Sequence, residues 1–63
     1  MSIDDRIRNA RVMAQLTQQQ LADELEVTRL TIVKYECGVS KPESDKLKKI
    51  CEILNISIEE LFQ

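Results

Sequence analysis

An all-α fold is predicted by three features of this sequence. Its 63 residues include one Gly and one Pro, which leaves little material for hairpin turns. Apolar residues make up 43% of the chain but aromatics only 3%, so the core must be aliphatic. Leu, Ile, Lys, Glu and Gln are common, and apolar positions recur at three- and four-residue intervals along most of the chain. The expected architecture is a compact bundle of five helices, forming a single domain over residues 1–63. A chain this short buries only about 60% of its unfolded surface, so its stability margin is thin.

Helix one is read over residues 3–14. Ser2 can cap it, and Asp4 and Asp5 suit the positive end of its dipole. Ile3, Ile7, Ala10 and Ala14 form one apolar stripe, with Arg6, Arg8 and Asn9 facing away and Arg11 beside Ile7 and Ala10. Helix two follows Thr17, an N-cap candidate, and turns Leu21, Ala22 and Leu25 inward. Glu26-Val27 makes a tight connection with Val27 inward, and Thr28 offers a second cap. Helix three then spans about 29–37. Its inward positions are Ile32, Tyr35 and Glu36; its outward stripe is Arg29, Leu30, Val33, Lys34 and Cys37. Two short capped helices around so tight a turn form a helix-turn-helix, whose second helix is the usual reader of the DNA major groove.

Gly38 ends helix three, and Val39-Ser40-Lys41-Pro42 is the one real loop. Pro42 suits entry to helix four, read over about 43–54. Leu47, Ile50, Cys51 and Leu54 form its inward stripe, which makes Cys51 a small buried hydrophobe. Lys46, Lys48 and Lys49 form a solvated face, and Ile53 falls off the stripe. Asn55 can end the helix in the left-handed conformation. Ser57 with Glu60 three residues on is a capping box for helix five, and Leu61 and Phe62 close the core.

The run Leu16-Thr17-Gln18, Leu21-Ala22, Leu25, Val27-Thr28, Thr31-Ile32, Lys34, Glu36, Gly38 and Pro42 resembles the phage repressor and Cro family of DNA-binding domains, the XRE type. The tail Ile56-Ser57-Ile58-Glu59-Glu60-Leu61-Phe62 resembles that family's closing segment, so the likeness extends over residues 3–62. It implies a lambda-repressor-like arrangement of the five helices. It also implies that Arg11 pairs with Glu36, docking helix one on helix three. Gln15 and Glu26 stand where the family usually has Gly, at backbone positions of positive φ, where a side chain costs on the order of 1 kcal/mol. Ile53 stands where the family often has a small residue.

Several function classes are excluded or disfavoured. No apolar run approaches the roughly 20 residues of a membrane span, and the charged start is not a signal peptide, so a cytoplasmic protein is expected. Cys37 and Cys51 are too few and too far apart for a disulfide framework or a metal-binding pair, and His is absent. No nucleophile–base pair suggests an enzyme. No cofactor and no small-molecule ligand is indicated. The net charge of −2 argues mildly against nucleic acid, although contact depends on where the charges sit.

The leading expectation is a sequence-specific regulator of transcription, a repressor before an activator, that binds double-stranded DNA. Thr28, Arg29, Leu30, Thr31, Val33 and Lys34 would face base edges or nearby phosphates. Leu30 and Val33 would meet thymine methyls, and Arg29 or Lys34 would donate to guanine. Thr17, Gln18 and Lys41 would meet phosphate, with Gln18 also supporting helix three. A homodimer on a near-palindromic operator is expected, because one such module buries little surface. Its candidate contacts are Ile53, Ile56, Ile58 and Phe62, Ile53 first. The alternative is an antitoxin or protein-interaction module that keeps the fold with weak or no DNA binding.

Overall fold

Five helices follow one another in the computed structural model, which describes residues 2–62: α1 (Ile3–Met13), α2 (Gln18–Leu25), α3 (Arg29–Cys37), α4 (Ser44–Leu54) and α5 (Ile58–Leu61). No strand occurs among the described residues. α2 packs on α3 and α4, α1 packs on α3 and α5, and α5 also meets α4. The core forms where the expected stripes converge. Ile7, Leu21, Leu25, Ile32 and Ile50 are its largest fully buried side chains, joined by Ala22, Leu47, Cys51, Leu54 and Leu61. Burial raises the pKa of the Cys51 thiol, with Glu60 adding to the effect, so Cys51 stays a protonated, apolar filler.

Four of the helices end in the same way. After α1, the Gln15 N–H donates to the Val12 carbonyl (2.9 Å) and the Leu16 N–H to the Arg11 carbonyl (3.2 Å). After α2, Glu26 donates to Asp23 and Val27 to Ala22; after α4, Asn55 donates to Glu52 and Ile56 to Cys51. After α3, Val39 donates to Lys34. Gln15, Glu26, Gly38 and Asn55 hold the left-handed φ of 61°, 61°, 77° and 57° that this closure needs. The residue after each is apolar. Leu16, Val27 and Ile56 fold back onto the core, whereas Val39 stays exposed. Three closures therefore rest on non-glycine residues in a conformation that disfavours a side chain.

Gln15→Gly and Glu26→Gly are each expected to stabilise the domain by about 0.5–1 kcal/mol, the relief of left-handed strain less the added freedom of the unfolded chain. For a domain of this size that is a rise in Tm of about 2–8 °C. Thermal and urea denaturation measure it, and a loss of stability in both variants would show that neither site is strained.

Several details differ from the sequence reading. α1 stops at Met13; Ala14 is its exposed C-cap and leaves the apolar stripe, because the left-handed Gln15 turns the chain there. Ser2 sits at the N-cap, but its hydroxyl donates to Asp5 Oδ2 (3.1 Å) and makes no backbone cap. Arg6 does not face away. It is half-buried, and its Nη1 donates to the Glu60 carbonyl (3.2 Å), which ties α1 to α5. Val27 is half-buried, and α4 begins at Ser44 with Glu43 as its N-cap. The Glu60 carboxylate accepts from the Ser57 N–H at 2.6 Å, as a capping box requires. Leu61 closes the core; Phe62, expected beside it, is 65% exposed.

Candidate nucleic-acid interface

Thr17 and Thr28 set the two helices of the motif. The Thr17 hydroxyl accepts from the Gln20 N–H (3.0 Å), while the Thr17 N–H donates to Gln20 Oε1 (2.8 Å). That is a complete capping box, with Gln in the third position. The Thr28 hydroxyl accepts from the Thr31 N–H (3.3 Å) and lies 2.9 Å from the Thr31 hydroxyl. Both threonine hydroxyls at the start of α3 thus have a structural task besides any external contact.

α3 is amphipathic in an unusual way. Its inner side carries Ile32 and Tyr35 into the core together with Glu36, the one buried charged residue among those described. Its outer side presents Arg29, Leu30, Lys34 and Cys37 to solvent, with Thr31 and Val33 half-buried at the margins. Leu30 is 60% exposed between these polar neighbours. Tyr35 stays a neutral phenol at physiological pH, since burial raises its pKa and the Glu43 and Asp45 charges raise it further.

Glu36 is held by three donors. Arg11 Nε donates to its Oε2 at 2.6 Å and Arg11 Nη2 to its Oε1 at 3.2 Å, a two-pronged pair. The side chains are 13% and 2% exposed. Gln18 Nε2 donates to the same Oε1 at 3.2 Å, and Arg11 Nη1 donates to the Leu16 carbonyl at 2.7 Å. The Glu36 carboxylate thus joins α1 and the first residue of α2 to the inner side of α3, and Arg11 extends the network to the α1–α2 turn. Gln18, taken from the sequence as a phosphate contact and a support, is half-buried and bonded inward through one amide hydrogen.

Lys41 is exposed in the α3–α4 loop. With Thr31, Lys34, Ser40 and Lys46 it borders a concavity of about 330 Å³ beside α3. Lys46 was read as part of a solvated face; it is half-buried and turned toward this concavity, because the loop brings the first turn of α4 up to α3. Spacing along α4 alone gave no sign of that. Only Lys48 and Lys49 of the three are exposed, and Lys49 Nζ lies 4.0 Å from Glu26 Oε2, an exposed pair of small energetic value. Of the candidate dimer contacts, Ile53 and Ile56 are half-buried against the core, while Ile58 is 37% and Phe62 65% exposed.

The profile of the helix-turn-helix domain family matches residues 5–63. The chain belongs to the XRE-type helix-turn-helix family. It is 41% identical over 61 residues to the cryptic phage CTXphi transcriptional repressor RstR of Vibrio cholerae, covering 97% of this chain and 54% of that protein. It is 36% identical over 62 residues to the HTH-type transcriptional activator BcrR of Enterococcus faecalis, covering 98% of this chain and 30% of that protein. The chain thus spans about half or less of the length of these relatives, which are transcription regulators rather than enzymes. Among solved structures it superimposes on the P22 c2 repressor in complex with a synthetic operator, with a TM-score of 0.90 at 23% identity, covering 97% of this chain and 92% of that one. It also superimposes on SinR, the master regulator for biofilm formation, in complex with DNA, with a TM-score of 0.88 at 22% identity, covering 97% and 98%. These likenesses establish the lambda-repressor-like fold of the XRE-type domain. No helix among the described residues is long and apolar enough to cross a membrane.

Proposed function

We propose that the chain is the DNA-reading domain of a transcriptional repressor, binding a near-palindromic operator as a homodimer with α3 in the major groove. The observation that carries this is the outer side of α3, where Leu30 stands 60% exposed between Arg29 and Lys34. An exposed aliphatic flanked by cations suits a groove that offers thymine methyls beside guanine acceptors. Thr28, Thr31 and Val33 complete the base-facing surface. Thr17, Gln18 and Lys41 take phosphates, Gln18 with the amide hydrogen that Glu36 leaves over. Lys46 joins Lys41 as a further phosphate contact. RstR, a repressor at 41% identity, favours repression over activation.

Selection of bound sequences from random duplex gives the operator. On it, Arg29→Ala and Lys34→Ala are each expected to cost about 1–3 kcal/mol and to relax preference at one base pair, with circular dichroism unchanged. Gln18→Ala should weaken all sequences alike. Native affinity and selectivity in both α3 variants would remove α3 from the role of reader. The net charge of −2 favours a second reading, an antitoxin or protein-interaction module that keeps the fold. Affinity for random duplex that does not fall with added salt would favour it.

A further inference from the structure

A second cavity, of about 260 Å³, lies on the other side of the α3–α4 loop from the groove beside α3. Its floor is core. Ile7 is fully buried, Tyr35 nearly so, and Ile3 and Pro42 are half-buried beside them. Its lining also includes Asp4 from the first turn of α1 and Lys41 from the loop, two side chains of opposite charge. Ser2 and Ser40 line it as well. The Asp4 carboxylate lies close against Gly38. A β-carbon there would stand 3.2 Å from Asp4 Oδ2, and the left-handed φ of 77° already disfavours one.

An apolar floor under one anion and one cation selects a small molecule with both charges and an apolar body. Neither a simple anion nor a simple amine would satisfy both charges. We propose that this cavity binds an apolar α-amino acid, with its ammonium on Asp4, its carboxylate on Lys41, and its side chain against Ile3, Ile7, Tyr35 and Pro42. The volume of about 260 Å³ is large enough for a molecule the size of leucine or methionine.

Tyr35, Ser40 and Lys41 line both this cavity and the groove beside α3, so the loop is a wall shared by the two. A carboxylate held by Lys41 neutralises the charge that Lys41 would offer a DNA phosphate. The amino acid therefore weakens operator binding, and by linkage DNA weakens amino-acid binding by the same factor. This coupling rests on the DNA reading given above; binding to the free protein does not.

The chain has one Tyr and no Trp, so its fluorescence reports Tyr35 on the cavity floor. The test is titration of the free protein with leucine, isoleucine and methionine to tens of millimolar, following Tyr35 emission and the amide resonances of Gly38 and Ser40. Saturable changes are expected, weakened at least tenfold by Asp4→Asn and by Lys41→Gln. N-acetyl-leucine and leucinamide, which each lack one charge, test the same point without altering the protein, and both should bind at least tenfold more weakly. No saturable change with any of the three amino acids overturns the site, and so does binding that Asp4→Asn or the blocked analogues leave unaltered. With labelled operator, saturating amino acid should lower affinity and reduce the slope of log K against log salt by about 1, one phosphate contact. Saturable binding with unchanged operator affinity would retain the site and overturn the coupling.

Discussion

Glu36→Ala is expected to remove most of the stability of this domain. Removing one partner of a buried pair strands the other charge, at a cost of about 3–5 kcal/mol. At about 0.05–0.15 kcal/mol per residue, the whole domain has a margin of about 3–9 kcal/mol. Glu36 is 2% exposed on its side chain, and its loss also strips an acceptor from Gln18. Arg11→Ala should cost a similar amount, because it strands the more deeply buried carboxylate with Gln18 as its remaining donor, and the Leu16 carbonyl loses the Arg11 Nη1 donor. Urea unfolding of Arg11→Ala, Glu36→Ala and the double variant gives the coupling. A double variant much more stable than the summed losses predict is the expected result, since it leaves no stranded charge. Additive losses would show that the two side chains do not interact. If Glu36→Ala does not fold, Glu36→Gln closes the cycle with a milder change, because it keeps a carbonyl acceptor at the same reach.

The helices were legible in the sequence because the longer ones carry an inward apolar stripe, and because α2 and α3 start at a capping Thr and α5 at the Ser57–Glu60 box. Leu21, Ala22 and Leu25, and again Leu47, Ile50, Cys51 and Leu54, are buried as their spacing required. The left-handed closures were legible too, at Asn55 from the residue type and at Gln15 and Glu26 from the resemblance, which places Gly there. The structure adds that the apolar residue after each one, Leu16, Val27 or Ile56, packs back on the core. Arg6 and Ala14 were misplaced for one reason: a helical wheel knows nothing of what packs against the helix. α5 approaches α1 and gives Arg6 a carbonyl to meet, while the chain turns away at Ala14.

The candidate interface was legible only where it lies within one helix. The outer stripe of α3 follows from periodicity, and Arg29, Leu30 and Lys34 are exposed as that stripe requires. The approach of Lys46 to Lys34 and Lys41 depends on the path of the loop and the docking of α4. Both are tertiary facts with no local sequence signal. Val12 and Met13 likewise fell outside every assigned stripe, and both are exposed, Met13 at 83%.

Phe62→Glu is expected to break the proposed homodimer and with it tight operator binding. One module of this kind buries about 600–1,000 Å² on DNA, at or below the low end for specific complexes, so a second copy is needed for affinity. A two-fold axis near α5 would hold the reading helices about 34 Å apart, one turn of B-DNA. Among the candidate contacts, Ile53 and Ile56 already have work in the core, so substituting them costs folding stability first. Phe62 is 65% exposed and Ile58 37%, which leaves them as the apolar material for a partner. A Glu at position 62 would stand beside Glu59 and Glu60 and confront the same acids of the second copy across the axis. Linked modules gain about 10²–10⁴ in affinity over single ones, so operator affinity should fall about a hundredfold or more while circular dichroism stays native. Sedimentation equilibrium across micromolar concentrations reads the same event, with dimer mass in the native chain and monomer mass in the variant. A native chain that stays monomeric at every concentration and footprints as one protein per operator would end the dimer proposal. A Phe62→Glu variant that dimerises like the native chain would move the contact away from α5.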